Sequence, residues 1–182
     1  MSHEFVARRL DVKAFAQAEG TLSGRDLLSK YERLSLEADG RAGGRVVEWT
    51  ARGELRPGPG GFTQVWLHLQ VRATLSLICQ RCLEPADIEV VVDHSFRFVA
   101  TEAQAQAEDE EAEEDVLVLS RDLDLQELIE DELLMALPLV PRHEVCPTEV
   151  RLSAQDDDFE AASAAQPKPF AALAGLKDGK TG

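Results

Sequence analysis

The clearest pattern in the chain is a strict alternation of apolar and polar positions that begins at Val65. The odd positions are apolar: Val65, Leu67, Leu69, Val71, Ala73, Leu75 and Leu77. The even positions between them are Trp66, His68, Gln70, Arg72, Thr74 and Ser76. Period two is typical of a strand with one buried face, so we predict a strand over residues 63–78. At roughly 3.3 Å per residue it would span about 50 Å, so we expect it to bend or break.

Two neighbouring segments alternate in the same way and predict partner strands. In "RVVEWTARGEL" one face carries Val47, Trp49, Ala51 and Leu55, and the "RPGPGG" that follows turns the chain into the long strand. Further on, one face carries Ile88, Val90, Val92, His94, Phe96 and Phe98. Residues 115–119, "DVLVL", are expected to add another strand. Together the segments predict an antiparallel β-meander.

Two main helices are predicted to pack with this sheet. "SGRDLLSKYERL", residues 23–34, starts at a Ser23 cap and carries an apolar stripe. "DLQELIEDELLMAL", residues 124–137, has Asp124 as N-cap, Glu127 three residues later and Pro138 as its stop. The predicted fold is therefore α+β, with an antiparallel meander or a partly closed, barrel-like sheet packed with two helices.

Two residues depart from the pattern of the second helix. Glu132 falls inside the apolar stripe, so it is either buried with a partner or reaches water from the edge of the stripe. Leu134 projects among acidic residues, and it is either an exposed partner-binding residue or packs against a second element.

Charge and composition divide the chain into one α+β domain, residues 1–153, and a mobile tail, residues 154–182. The 182 residues carry 34 acidic and 19 basic side chains, a net charge of −15, which favours a basic partner over a phosphate backbone. Residues 101–115 contain eight carboxylates and no large apolar residue, so we predict a flexible acidic loop. No segment has the apolar run of a signal peptide or membrane span, and we expect a cytoplasmic protein.

The three cysteines raise the question of a metal site. Cys79 and Cys82 flank "QR" at the expected hairpin tip, and His143 and Cys146 repeat the two-residue gap after the second helix. Together they form a Cys3His ligand set, which suits tetrahedral zinc. Neither pair is followed by the glycine that usually turns backbone amides toward cysteine sulfur. Three interpretations stay open: a zinc site, a redox pair at Cys79 and Cys82, or a metal-free structural turn.

Catalytic motifs are missing from the sequence. There is no G-x-S-x-G, P-loop, G-x-G-x-x-G or H-E-x-x-H pattern. His68 and His94 lie on predicted strands, where a histidine is more often a packed or surface residue than a general base. We therefore expect the protein not to be an enzyme.

A short motif stands out within the predicted tail. In "PKPFAALAGLK", residues 167–177, Phe170, Leu173 and Leu176 share one helical face, and Lys168 and Lys177 flank it. We predict a docking peptide that folds when a partner binds it. The alternative is that it caps its own sheet.

These motifs together resemble the bacterial YceD family of large ribosomal RNA subunit accumulation proteins. The resemblance covers residues 69–177 and is carried by "CQRC", by "DLQELIEDELLMALPLVPRHEVC" and by "PKPFAALAGLK". It implies a cytoplasmic factor needed for synthesis, processing or stability of 23S rRNA, and so for large-subunit assembly. Some members resemble four-cysteine zinc proteins, and His143 stands where they have a cysteine.

The resemblance leaves the mechanism open. The acidic charge favours an adaptor or chaperone that binds a basic ribosomal protein or a processing factor. Direct contact with 23S rRNA is the second mechanism, through a stacking ring and positive charge on the even face of the meander, unless a helix covers that face. The candidates are Arg52, Trp66, His68 and Arg72. Outside this class, the sequence also fits a small metal-binding or thiol-redox protein, or a structural interaction module without a ribosomal role.

Overall fold

The computed structural model describes residues 5–38, 41, 43–109, 112–149 and 158–159. The chain divides into two compact units, Met1–Pro147 and Thr148–Gly182. The first contains five strands: β1 (Thr21–Leu27), β2 (Val46–Pro57), β3 (Thr63–Ile78), β4 (Pro85–Val99) and β5 (Asp115–Val118). It also contains four helices: α1 (Val12–Gln17), α2 (Glu32–Glu37), α3 (Glu102–Asp109) and α4 (Leu125–Met135). The predicted motif at residues 167–177 lies outside the described residues.

The five strands form one sheet in sequence order, β1-β2-β3-β4-β5. Strands β1 to β4 pair antiparallel, as predicted for the meander. Strand β5 pairs parallel with β4, from Phe96 opposite Asp115 to Val99 opposite Val118, so its predicted antiparallel direction was wrong. Helix α3 lies between the two strands in sequence, and a crossover of this kind returns the chain in the same direction. The sheet is mixed and open, without the predicted barrel-like closure.

Strand β3 remains one strand over sixteen residues and organises the sheet. It pairs with β2 up to Ala73, which lies opposite Val47. Its pairing with β4 continues to Ile78, opposite Pro85. Residues 74–78 and 85–89 therefore form a two-stranded ribbon beyond the reach of β2. The turn at the tip of this ribbon carries Cys79 and Cys82.

The odd face of β3 is the core face, as its alternation predicts. Leu67, Leu69 and Leu75 are fully buried there. The largest buried side chains from other elements in the same cluster are Phe15, Leu28, Tyr31, Leu34, Phe96, Leu125, Ile129 and Leu133. Each buried side chain of this size contributes about 1.5–3 kcal/mol relative to an exposed one. The stripe predicted on α4 is therefore its core contact.

The first predicted helix, residues 23–34, was wrong. Residues Thr21–Leu27 form the edge strand β1, with Gly24 opposite Trp49. A Cβ at Gly24 would lie 2.5 Å from the Trp49 ring, so this position needs glycine. Helix α2 begins only at Glu32. The local Ser-x-x-Asp pattern resembled a helix cap, but pairing with β2 overrides it.

The start of α4 was predicted correctly. The Asp124 carboxylate accepts hydrogen bonds from the backbone N–H groups of Gln126 at 2.9 Å and Glu127 at 3.2 Å. Further along, the buried Glu130 accepts from the Leu34 N–H at 3.1 Å and from Arg33 at 3.1 Å. A single carboxylate therefore ties α4 to α2.

The structure decides between the two alternatives for both Glu132 and Leu134. Glu132 is 6% exposed and lies 2.8 Å from the Nδ1 atom of His94, so it is buried with a partner and does not reach water from the stripe edge. Leu134 is half-buried and packs against the main core, so the structure does not support an exposed partner-binding residue there.

The acidic segment differs from the predicted flexible loop, because residues 102–109 form helix α3. Ala105 packs with Val99 and Val116 in a small apolar cluster. Arg97, only 7% exposed, ion-pairs with Glu108 and, at 2.5 Å, with Glu114. Arg97 lies on β4, outside the acidic run, so the run alone gave no sign of its partner.

Among the described residues, no helix is long and apolar enough to cross a membrane.

This anchoring predicts that the acidic segment stabilises the domain. Replacing both Glu108 and Glu114 with glutamine should lower the urea concentration at the unfolding midpoint at pH 7, because the Arg97 charge is left unpaired. Arg97 lowers the pKa of Glu108, so the contribution is present above the usual carboxyl range and is lost as pH falls through the lowered pKa. The exposed Glu113→Gln variant is the matched control. Equal stability of double variant and control would contradict the anchoring.

Candidate metal centre

The turn between β3 and β4 is built by backbone contacts around Cys79. The Cys79 N–H donates to the Glu84 carbonyl at 3.0 Å, and the Leu83 N–H donates to the Cys79 carbonyl at 2.9 Å. Leu83 has φ 61°, the left-handed conformation that usually calls for glycine. Holding a leucine there costs roughly 1–2 kcal/mol. The absence of a glycine therefore does not prevent the tight turn.

The segment after α4 is held at the tip of the ribbon. The Gln80 N–H donates to the Pro141 carbonyl at 2.9 Å. The Arg81 guanidinium donates to the carbonyls of His143 at 3.0 Å and Glu144 at 3.3 Å. Arg81 was missed in the sequence analysis, although its place between two cysteines was a signal. These contacts bring the second pair of candidate ligands to the first.

The four predicted metal ligands converge. Cys79, Cys82, His143 and Cys146 each offer one ligand atom, and these atoms lie within 4.8 Å of one another. The Sγ atoms of Cys79 and Cys146 are 3.9 Å apart, and Cys82 Sγ lies 3.4 Å from His143 Nδ1. Tetrahedral zinc, with bonds of about 2.3 Å to sulfur and 2.0–2.1 Å to nitrogen, requires sulfur–sulfur and sulfur–nitrogen separations of about 3.8 and 3.6 Å. The arrangement fits such a metal.

His143 is held in the tautomer that a metal requires. Its Nε2 atom lies 3.0 Å from the Pro85 carbonyl oxygen. Because a carbonyl only accepts hydrogen bonds, Nε2 carries the proton and Nδ1 presents its lone pair to the cysteines. A backbone carbonyl on the other ring nitrogen is a common way to orient a ligating histidine.

The surroundings of the cluster shift the pKa values of two of its thiols in opposite directions. Burial raises the pKa of Cys79, but backbone N–H groups of Cys82, His143 and Arg81 outweigh it and lower this pKa to about 5. Burial also raises the pKa of the Cys82 thiol. Arg81 Nε donates a hydrogen bond to Cys146 Sγ at 3.0 Å. All three cysteines are free, so the cluster is not a disulfide.

A second group, His94, Asp115 and Glu132, also brings its ligand atoms within 4.8 Å. Here His94 Nδ1 faces Glu132 at 2.8 Å, and Nε2 faces Asp115 at 3.6 Å. Each ring nitrogen thus has its own carboxylate partner. The histidine serves as a polar tie between α4, β4 and β5.

The predicted RNA-contact residues lie together on the outer face of the sheet, but most are engaged within it. Trp66 is buried, and the Arg56 guanidinium lies 4.4 Å above its ring. His68 contacts Ser95 and Glu54, Arg72 pairs with Glu89 at 3.0 Å, and Arg52 is exposed. The tail candidates Lys168, Phe170, Leu173, Leu176 and Lys177 lie outside the described residues.

The fold and the site define a small α+β protein in which a Cys3His cluster closes the tip of a β-ribbon. The family described as "Large ribosomal RNA subunit accumulation protein YceD" matches residues 67–177, and the chain belongs to this family. A relative of that name from Haemophilus influenzae is 38% identical over 111 residues. The matched region covers 59% of this chain and 63% of the relative, so the chain spans less than two thirds of the relative's length. No solved structure matches the chain.

Proposed function

We propose that this protein is a non-enzymatic factor of the bacterial cytoplasm that is needed for 23S rRNA synthesis, processing or stability, and so for large-subunit assembly. The observation that carries this proposal is family membership over residues 67–177. The relative is named a large ribosomal RNA subunit accumulation protein, and that name supports the proposal. The cysteine cluster and α4 both lie inside the matched region.

The proposed mechanism is that of an adaptor or chaperone for a basic protein, either a ribosomal protein or a processing factor. A net charge of −15 opposes contact with a phosphate backbone. Three arginines on the outer face have carboxylate partners: Arg25 with Glu48, Arg56 with Glu54, and Arg72 with Glu89. Phosphate would have to compete with these pairs. A basic protein would be attracted by the net negative charge of the molecule.

The polar constellation on the outer face supports a non-enzymatic role. Ser95, His68 and Glu54 form a hydrogen-bonded line, at 2.7 and 2.9 Å, with the residue types of a hydrolase triad. However, Arg56 pairs with the same Glu54 carboxylate and lowers its pKa. Arg56 Nη2 also lies 3.1 Å from His68 Nε2. The Glu54 carboxylate is therefore shared between His68 and Arg56 and is not reserved for the histidine, as it would be in a triad.

We further propose that Cys79, Cys82, His143 and Cys146 hold one zinc ion in a structural role. Four protein ligands fill a tetrahedral site and leave no position for water or substrate. The ion would join the ribbon tip to the segment after α4, which otherwise is fixed there by a few hydrogen bonds. The fit of the interatomic distances and the tautomer of His143 support this assignment.

The motif at residues 167–177 remains a proposed docking peptide. Its apolar residues would fill a groove of the partner, and Lys168 and Lys177 would meet acidic groups or phosphate. The match to the family extends to residue 177, which includes the whole motif.

The ribosomal proposal predicts that cells lacking this protein contain less 23S rRNA relative to 16S rRNA. Tagged protein should co-sediment with large-subunit precursors in sucrose gradients, and expression of the full chain should restore the rRNA ratio. Co-sedimentation should weaken as salt is raised, because complementary charge contributes to binding. An unchanged rRNA ratio together with no co-sedimentation would contradict the proposal.

The metal proposal predicts about one zinc per chain in protein purified without chelator, and a lower melting temperature after chelation, because metal binding stabilises only the folded state. The Cys82→Ser variant should lose the zinc, measured by elemental analysis. His94→Gln, in the second cluster, is the matched control and should keep it. Less than about a tenth of an equivalent of zinc in the unaltered protein would refute the assignment.

The docking-peptide proposal predicts that removal of the motif impairs function without lowering stability. A chain that ends at Gln166 should keep the melting temperature of the full chain but should not restore 23S rRNA levels. Phe170→Ser should act in the same way, because it removes the largest apolar contact of the motif. If the truncated chain melts markedly earlier, the motif caps its own sheet instead; full rescue would show that the motif has no docking role.

A further inference from the structure

The ribbon tip displays a group of large apolar side chains that its own fold does not use. They are Leu83, Leu139, Val140 and Val145, which we call the tip surface, and all four are exposed. Leu139 is 99% exposed and Val145 85%. Scattered apolar residues are ordinary on protein surfaces, whereas a cluster of them marks a binding site.

These side chains belong to one place on the molecule. Leu83 and Val145 adjoin Cys82 and Cys146, whose sulfur atoms are within 4.8 Å of each other. Leu139 and Val140 precede Pro141, which accepts the hydrogen bond of Gln80 at the ribbon tip. The polar contacts and the cysteine cluster therefore fix four apolar side chains around one turn.

The charge around the tip surface is acidic. Glu84 and Glu144 are exposed there, against the exposed Arg142. The other nearby cation, Arg81, is engaged by the Cys146 sulfur and two carbonyl oxygens. A bound divalent ion would leave three thiolates and one neutral histidine with a net charge of −1, so it would not reverse this balance.

We infer that the tip surface docks a basic protein segment that carries apolar side chains. This rests on the proposed function, because it names the surface through which an adaptor would hold its partner. Exposed carboxylates would repel an RNA phosphate backbone. A symmetric contact between two copies of this chain would place the same carboxylates against each other. A basic segment with apolar side chains would cover the exposed apolar residues and would pair with the carboxylates.

The first test maps the surface by cross-linking. A photoreactive phenylalanine analogue is placed at position 139, or at position 36 as control, in the full-length protein. Leu36, on α2, is 79% exposed and so matches Leu139 in type and accessibility. The probe is the mixture of proteins extracted from purified large ribosomal subunits and freed of rRNA. The analogue at position 139 should cross-link to one or a few basic proteins that are identified by mass spectrometry, and the analogue at position 36 should not.

The second test measures affinity for a protein captured in this way. Leu139→Ser combined with Val145→Ser should weaken binding at least tenfold, and Glu84→Lys should weaken it several-fold with a smaller dependence on salt. Leu36→Ser and Glu37→Lys, a neighbouring exposed pair on α2, should change it less than twofold. Metal content and melting temperature should stay unchanged in each variant. Leu139→Ser alone, outside the cysteine cluster, repeats the test if the double variant loses metal.

Several results would overturn the inference. In the cross-linking test, these are equal cross-linking at positions 36 and 139, or no cross-link at all. A cross-link to a second copy of the chain, to its own residues 167–177, or to added rRNA would overturn it as well. In the binding test, it is an unaltered affinity of the double variant. The proposed function is tested separately by sedimentation. If wild-type protein and double variant co-sediment equally with precursors, only the docking inference fails. If wild-type protein does not co-sediment and the rRNA ratio is unchanged in cells that lack it, the proposed function fails, and cross-linking still decides the docking inference.

Discussion

The ladder between β3 and β4 is the contact on which the rest of the structure depends. Fourteen residue pairs run from Val65 opposite Phe98 to Ile78 opposite Pro85. Its first part carries the core face against which α1 and α4 pack. Its last part extends past β2 and becomes the ribbon that presents the cysteines. A register shift of one residue would move every core side chain to the outer face and would displace the turn from the segment after α4.

The short helices are held to this sheet by partly buried charges as well as by apolar packing. Helices of six or eight residues are not stable in isolation. Glu130 holds α2 through the Leu34 N–H, and Arg97 holds α3 through Glu108. His94 joins α4 to the sheet through Glu132. Each contact fixes where an element sits, at a desolvation cost that the hydrogen bonds offset.

These contacts also explain what the sequence could and could not predict. Alternation and capping are local patterns, so β2, β3, β4 and α4 could be placed from the sequence. The cysteine and histidine spacing predicted the four converging side chains, because equal gaps on two segments suit one tetrahedral site. The strand β1 and the helix α3 were missed because their partners, β2 and Arg97, lie outside the segments whose local pattern was considered. The tautomer of His143 and the role of Arg81 depend on carbonyl groups, which no residue pattern reveals.

The distribution of charge connects the fold to the proposed role. Three arginines on the outer face, Arg25, Arg56 and Arg72, have carboxylate partners, whereas Glu84 and Glu144 at the ribbon tip are exposed beside apolar side chains. A factor that works on a ribosomal precursor is surrounded by RNA, and unpaired arginines would bind phosphate without regard to sequence. Pairing them reduces that binding across the sheet. The exposed acidic and apolar tip is where the proposed contact with a basic protein would form.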